Sequence, residues 1–189
     1  EPVPQFGGCG WTLTAFGGFT EFEFREDGKV KVSPLQIKKE VVHELEDNLL
    51  LFFTGKSRSA SGILKNQDDS SKNGDKIVNS NLDKIKELGI LSKNALIEGN
   101  LSKFGELMNE HWEYKKSRSV GITNSDIDAT YDLAMKNGAV GGKLVGAGGR
   151  GFLMFYANDK EQLRKKMSEI GLEEVRFQFD FEGTKVILS

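Results

Sequence analysis

The sequence predicts an α+β fold, an antiparallel sheet with helices on one face, and three observations carry that expectation. Near the amino end an alternating segment turns back on itself at Asp27-Gly28. Asn48 to Thr54 is a short apolar run of strand length. A long stretch with apolar residues at helical spacing follows, and strand-like runs return only beyond Gly138.

Phe19, Glu21, Glu23 and Arg25 interleave with Thr20, Phe22 and Phe24, and Asp27-Gly28 leads into Lys29 to Val32, so a hairpin is expected. Asn48 to Thr54 stops at Gly55 and reads as a buried strand. A helix is expected over Ser57 to Asp68, then a polar loop from Asp69 to Gly74. Val78, Leu82, Ile85 and Leu88 predict a helix that breaks near Gly89, with Ala95 to Glu98 continuing in register. Asn100 is the N-cap of a stronger helix reaching about Ser117, with Leu101, Phe104, Leu107, Met108, His111 and Trp112 as its apolar stripe. Another helix follows Asn124-Ser125, carries Ile127, Tyr131 and Ala134 inward, and stops at Asn137-Gly138. Then come Lys143-Leu144-Val145, a glycine loop, and a strand from Phe152 to Tyr156. A charged helix from Asp159 to Ile170 and strands over Glu174 to Phe181 and Lys185 to Leu188 complete the chain.

A length of 189 residues is enough for one good core. With 26 basic and 28 acidic side chains, the net charge of -2 gives no cationic field for nucleic acid or anionic lipid, so neither is expected as a partner. A single cysteine, Cys9, excludes an internal disulfide framework, and no cysteines and histidines stand at metal-ligand spacing. No apolar run reaches the roughly 20 residues that cross a bilayer, and a soluble, cytoplasmic protein is expected.

Gly146-Ala147-Gly148-Gly149-Arg150-Gly151 lies between two apolar runs. Such glycine density marks a backbone that needs positive φ or close approach by another group. Its N–H groups could help hold a phosphate, or the glycines could merely relieve a hairpin corner. The segment is neither a P-loop nor a dinucleotide fingerprint.

In its wider context, Gly141 to Met154 resembles the third motif of the GHMP kinases, the group of galactokinase, homoserine kinase and mevalonate kinase. Glu110 to Ser117, Ser125 to Asp128, Tyr131 to Ala134, Leu45 to Asn48 and Thr54 to Ser61 resemble the heptose-kinase branch, and the likeness spans nearly the whole chain from Ala15. The resemblance implies the ferredoxin-like carboxy-terminal domain of such a kinase, over residues 19–189, with 1–18 a remnant of the amino-terminal lobe or an altered terminus. It implies ATP and Mg²⁺ as cofactors, a sugar phosphate as substrate, and an amino-terminal lobe or a second copy of this chain as partner. The phosphate-wrapping loop of that lobe is not found here. The family aspartate that orients or deprotonates the sugar hydroxyl aligns with Gly10, which cannot accept a proton, and Arg150 stands where glycine is usual.

His111 lies on an apolar stripe and is either a packed core residue or, by resemblance, part of a sugar cleft. Lys115 and Lys116, with Arg58 as a possible spatial neighbour, are either a solvated charged face or the cations that a sugar phosphate needs. Ser57 follows a strand at a turn, where it could cap a helix or help receive an anion.

Overall fold

In the computed structural model, which describes residues 16–25, 27–55, 76–117, 122–145 and 151–184 (side chains of 76–83 excepted), the amino-terminal alternation is a hairpin. Strand β1 (Thr20–Phe24) pairs antiparallel with β2 (Val30–Pro34), Phe22 opposite Val32. Its turn uses Gly28 at φ +78°, and the Lys29 N–H donates to Asp27 Oδ1 at 3.1 Å.

Helix α1 (Lys39–Asn48) then runs directly into β3 (Leu49–Phe53). No helix is expected there from the sequence, because only Val42 and Leu45 are buried along it, too few to set a visible period. Helix α2 (Lys76–Glu98) passes through Gly89 without the expected break. Glycine in a helix interior costs only about 1 kcal/mol, and the packing of Leu88, Ala95 and Leu96 on either side holds the helix together. Asn100 caps α3 (Leu101–Ser117) as expected, accepting from the Lys103 N–H at 3.1 Å. Asn124 caps α4 (Ser125–Met135) by accepting from the N–H groups of Asp126 and Ile127. Gly138, at φ +103°, lets the chain turn into β4 (Ala139–Val145).

Strand β5 (Phe152–Ala157) returns antiparallel to β4, and α5 (Lys160–Glu169) leads to β6 (Glu173–Glu174). The expected strand over Glu174 to Phe181 shrinks to this two-residue ladder, because beyond Val175 the chain leaves β3. There the Phe179 N–H turns to the Glu46 carboxylate, at 2.7 Å. The helix expected over Ser57 to Asp68, the loop at 69–74 and the strand from Lys185 lie outside the described residues.

The main sheet has the order β4-β5-β3-β6 with every pair antiparallel. Counted from β3, this is strand, helices, two strands, helix, strand, with the first strand between the third and fourth: a ferredoxin-like sandwich. Strand alternation divides the core. Leu50, Phe52, Leu144, Leu153 and Phe155 meet Trp112 of α3, Tyr131 and Ala134 of α4, and Leu163 and Met167 of α5. Leu49 and Tyr156, with Met154, meet Leu45 of α1, Leu96 of α2 and Met108 of α3.

Candidate functional site

Register places Val145 opposite Phe152, so the glycine segment connects the two arms of a hairpin. Gly146, Ala147, Gly148, Gly149 and Arg150 lie outside the described residues, as do Gly10, Ser57 and Arg58. The exit of the segment is described. Gly151 takes φ +133°, and Thr54, just past the end of β3, grips it from both sides. The Thr54 hydroxyl accepts from the Gly151 N–H at 2.9 Å and donates to the Gly151 carbonyl at 2.8 Å, while the Thr54 N–H donates to the same carbonyl at 2.9 Å. One hydroxyl thus replaces the ladder bonds lost where the chain departs from strand geometry.

Strand β4 is an edge, and α3 runs close beside it. The approach is possible because Gly105 faces Gly141 backbone to backbone, with no side chain between them. Above this contact the Tyr131 hydroxyl accepts from the Gly142 N–H at 3.1 Å and donates to Asn109 Oδ1 at 2.7 Å, with the Gly142 carbonyl at 3.1 Å. The Gly142 groups that an edge strand would leave open are therefore satisfied. Burial pushes the Tyr131 phenol well above its ordinary pKa, more than the Gly142 hydrogen bond lowers it.

Further along the same strand the Lys115 ammonium donates to the Leu144 carbonyl at 3.4 Å and sits 5.9 Å from the centre of the Trp112 ring. Lys116 instead pairs with Glu113 at 2.8 Å and lies 5.9 Å from the Trp112 and Tyr131 rings. Trp112 is fully buried, whereas its neighbour His111 is half-buried. Of the described candidates, then, Lys115 stands at the strand entering the glycine segment, and Lys116 is held in a local pair. Arg164, outside this region, is clamped by Glu174 at 2.9 Å and 3.1 Å.

Among the described residues no three His, Cys, Asp or Glu side chains gather where they could hold a metal ion. Nor is any helix of the described residues long and apolar enough to cross a membrane. Concavities occur away from the hairpin; one of about 820 Å³ lies between the amino-terminal hairpin and α2, where Glu21 and Lys93 neutralise each other at 2.8 Å.

Residues 92–172, which take in α3, α4, the β4–β5 hairpin and α5, match the family model described as GHMP kinases C terminal. This segment is a GHMP kinase C-terminal domain. The chain is 32% identical over 176 residues to the D-glycero-alpha-D-manno-heptose 7-phosphate kinase of Campylobacter jejuni, covering 90% of this chain and 50% of that protein. It superposes on the crystal structure of a D-glycero-D-manno-heptose 1-phosphate kinase from Bacteroides thetaiotaomicron with a TM-score of 0.62 and 28% identity, over 93% of this chain and 48% of the other. Mevalonate kinase of L. major, in complex with R-mevalonate, shares the fold at a TM-score of 0.72 and 18% identity, over 95% of this chain and 54% of the other. The chain spans about half the length of these relatives.

Three residues of the chain escape motif reading as site candidates: Thr54, which precedes the matched segment, and Tyr131 and Lys143 within it. Thr54 and Tyr131 act through hydrogen bonds to backbone far away in sequence, which no local pattern announces. Lys143 had a signal, a charge inside an otherwise apolar and glycine-rich strand. Burial lowers its pKa, and it has no hydrogen-bond or ion-pair partner among the described residues.

Proposed function

We propose that this chain forms the carboxy-terminal half of a sugar kinase that moves the γ-phosphoryl group of ATP to the anomeric hydroxyl of a heptose 7-phosphate, supplying the synthesis of nucleotide-activated heptose in the cytoplasm. The observation that carries this reading is the hairpin of β4 and β5, tied to β3 by Thr54 and flanked by Lys115, within a chain similar to heptose kinases over 90% of its length.

Phosphoryl transfer asks a protein mainly for positioning and charge neutralisation. In the transfer the bond from the γ-phosphorus to its bridging oxygen breaks, a bond to the sugar oxygen forms, and the hydroxyl proton leaves to a base. The described residues fit the phosphates of ATP in one respect, since Lys115 and Lys143 bring ammonium groups to the strand that enters the hairpin. They do not fit Mg²⁺, for which they gather no carboxylate cluster. Gly10 cannot take the proton, so in this reading the base and most of the nucleotide site belong to an amino-terminal lobe.

Calorimetric titration of the chain with ATP-Mg²⁺ and with heptose 7-phosphate, alone and with a separately expressed amino-terminal lobe, tests the proposal. Weak heats for the chain alone and γ-phosphoryl transfer only in the presence of the lobe are expected. If neither binding nor transfer emerges with the lobe, the kinase reading falls, and a non-catalytic domain that pairs with itself or another chain takes its place.

A further inference from the structure

We propose that Lys143 is a phosphate-binding residue, holding the dianion of a phosphate ester on the open half of the sheet beside the β4–β5 hairpin; the identity of the ester rests on the kinase reading above.

The direction of Lys143 follows from register. Leu144 pairs with Leu153, and both are fully buried in the core that α4 and α5 complete. Lys143 pairs with Met154 and therefore projects from the opposite face. On that face the cover thins toward the hairpin. Leu51, Phe53, Phe152 and Met154 are only half-buried and Val145 is 38% exposed, whereas Leu50 and Phe52, pointing the other way, are each 1% exposed. The Lys143 side chain thus crosses a half-open apolar shelf, and no acidic or polar group among the described residues meets its ammonium. Lys115 brings a second ammonium to the next residue of the same strand, at the Leu144 carbonyl.

A desolvated ammonium with no internal anion costs folding free energy that an apolar side chain of the same size would not. The lowered pKa of Lys143 fits that account, since burial lowers it and no carboxylate among the described residues offsets it. An arrangement of this kind favours an anion from outside, and a phosphate dianion held by an ammonium against a partly dry apolar surface gains a charge-assisted hydrogen bond. The competing structural role is that the lysine stem merely covers the apolar shelf.

The two roles separate by experiment. Acetylation of Lys143 in the full chain by acetic anhydride, read by mass spectrometry, is expected to slow about tenfold when a phosphate ligand binds, the equivalent of one such contact. Protection by heptose 7-phosphate but not by inorganic tripolyphosphate assigns Lys143 to the sugar phosphate, and the reverse assigns it to the nucleotide. Protection by neither overturns the proposal. Calorimetry adds a second readout, with Lys143→Met expected to weaken binding of the protecting ligand at least tenfold and Lys143→Arg to retain most of it. If Lys143→Met fails to fold, the acetylation of the unmodified chain still decides. Transfer with an amino-terminal lobe that is unchanged in Lys143→Met would overturn this inference and leave the kinase reading standing; protection without any transfer would do the opposite.

Discussion

The Tyr131 hydroxyl closes the edge of β4 by serving Gly142 on both its N–H and its carbonyl, and Asn109 beyond it. Tyr131→Phe removes one oxygen and leaves buried backbone groups without partners, so a loss of about 1 to 3 kcal/mol is expected in urea unfolding. The pH dependence adds a separate signature. The folded-state pKa of Tyr131 is raised, so the unfolded chain sheds its phenol proton near pH 10 while the folded one keeps it; stability falls as pH rises past 10, and the Phe variant lacks that share of the fall. Lys143 acts with the opposite sign. Its folded-state pKa is lowered, so below pH 10.5 the unfolded chain binds the proton more tightly, and the penalty fades as pH climbs toward that value. Lys143→Met should therefore be more stable than the unmodified chain near neutral pH, with the gap narrowing on titration to pH 10. A gap that widens instead would contradict the burial of an unpaired charge. The same residues show what the sequence could and could not reveal about the site. Lys115 and Lys116 are equal members of a basic run, yet one helical step of 100° sends the first to the Leu144 carbonyl and the second to Glu113. A run of charges carries no record of that rotation, and the lone charge of Lys143 among glycines and aliphatics signals an exception without saying which face of the sheet it takes.

Helix α3 and strand β4 meet without side chains between them, and this contact sets where every residue on the helix falls along the strand. A Cβ added at Gly141 would collide with the carbonyl of Gly105 and lie 3.0 Å from the Asn109 N, both fixed by helical hydrogen bonds, so α3 would have to lift away. Gly141→Ala is expected to cost about 3 kcal/mol. A Cβ at Gly105 meets the ring of buried Tyr156 at 2.8 Å and the β-branched Val140 at 3.1 Å and 3.2 Å, side chains with little room to shift, and the roughly 1 kcal/mol of helix preference that alanine regains offsets only part of this crowding. Gly105→Ala should therefore cost about 1 to 2 kcal/mol, less than Gly141→Ala. Chemical denaturation of the pair checks the order, and a costlier Gly105→Ala would mean that the helix, not the strand, is the rigid partner. At this scale the sequence was most readable where an element had both a period and a punctuation mark. Asn100, Asn124, Asp159 and Gly138 each mark a boundary because a cap or a left-handed turn is a local need. Helix α1 and the shortness of β6 were not readable, since both depend on neighbours distant in sequence. The β3 it feeds positions α1, and the Glu46 carboxylate takes the Phe179 N–H. Gly89 misled for a related reason, because a glycine's cost is local and small while the packing that overrides it is tertiary.

The fold leaves one portion of the molecule thinly supported. The β1–β2 hairpin is a two-stranded sheet of its own, a size that is marginal in water. It is attached through the Gly18 N–H to the Asp180 carbonyl, the Phe19 ring against Phe179, and the half-exposed pair of Lys93 with Glu21. Its paired residues Phe24 and Val30 are 57% and 39% exposed, and Phe16 beside it is 46% exposed. Apolar side chains grouped on a hairpin with open edges invite a further partner. Because the chain spans about half the length of its relatives, we propose that an amino-terminal lobe covers this hairpin in a complete kinase and that a second copy of the chain covers it when the lobe is absent. Light scattering should then give a mass that rises with concentration above the 21.0 kDa of one chain. Phe24→Lys should reduce that rise while leaving the unfolding midpoint nearly unchanged, because an exposed strand residue contributes little to the core. Adding the lobe should suppress self-association in the unmodified chain, since both partners would compete for one surface. A constant monomer mass up to high concentration would show that this hairpin is stable enough to stand in water uncovered.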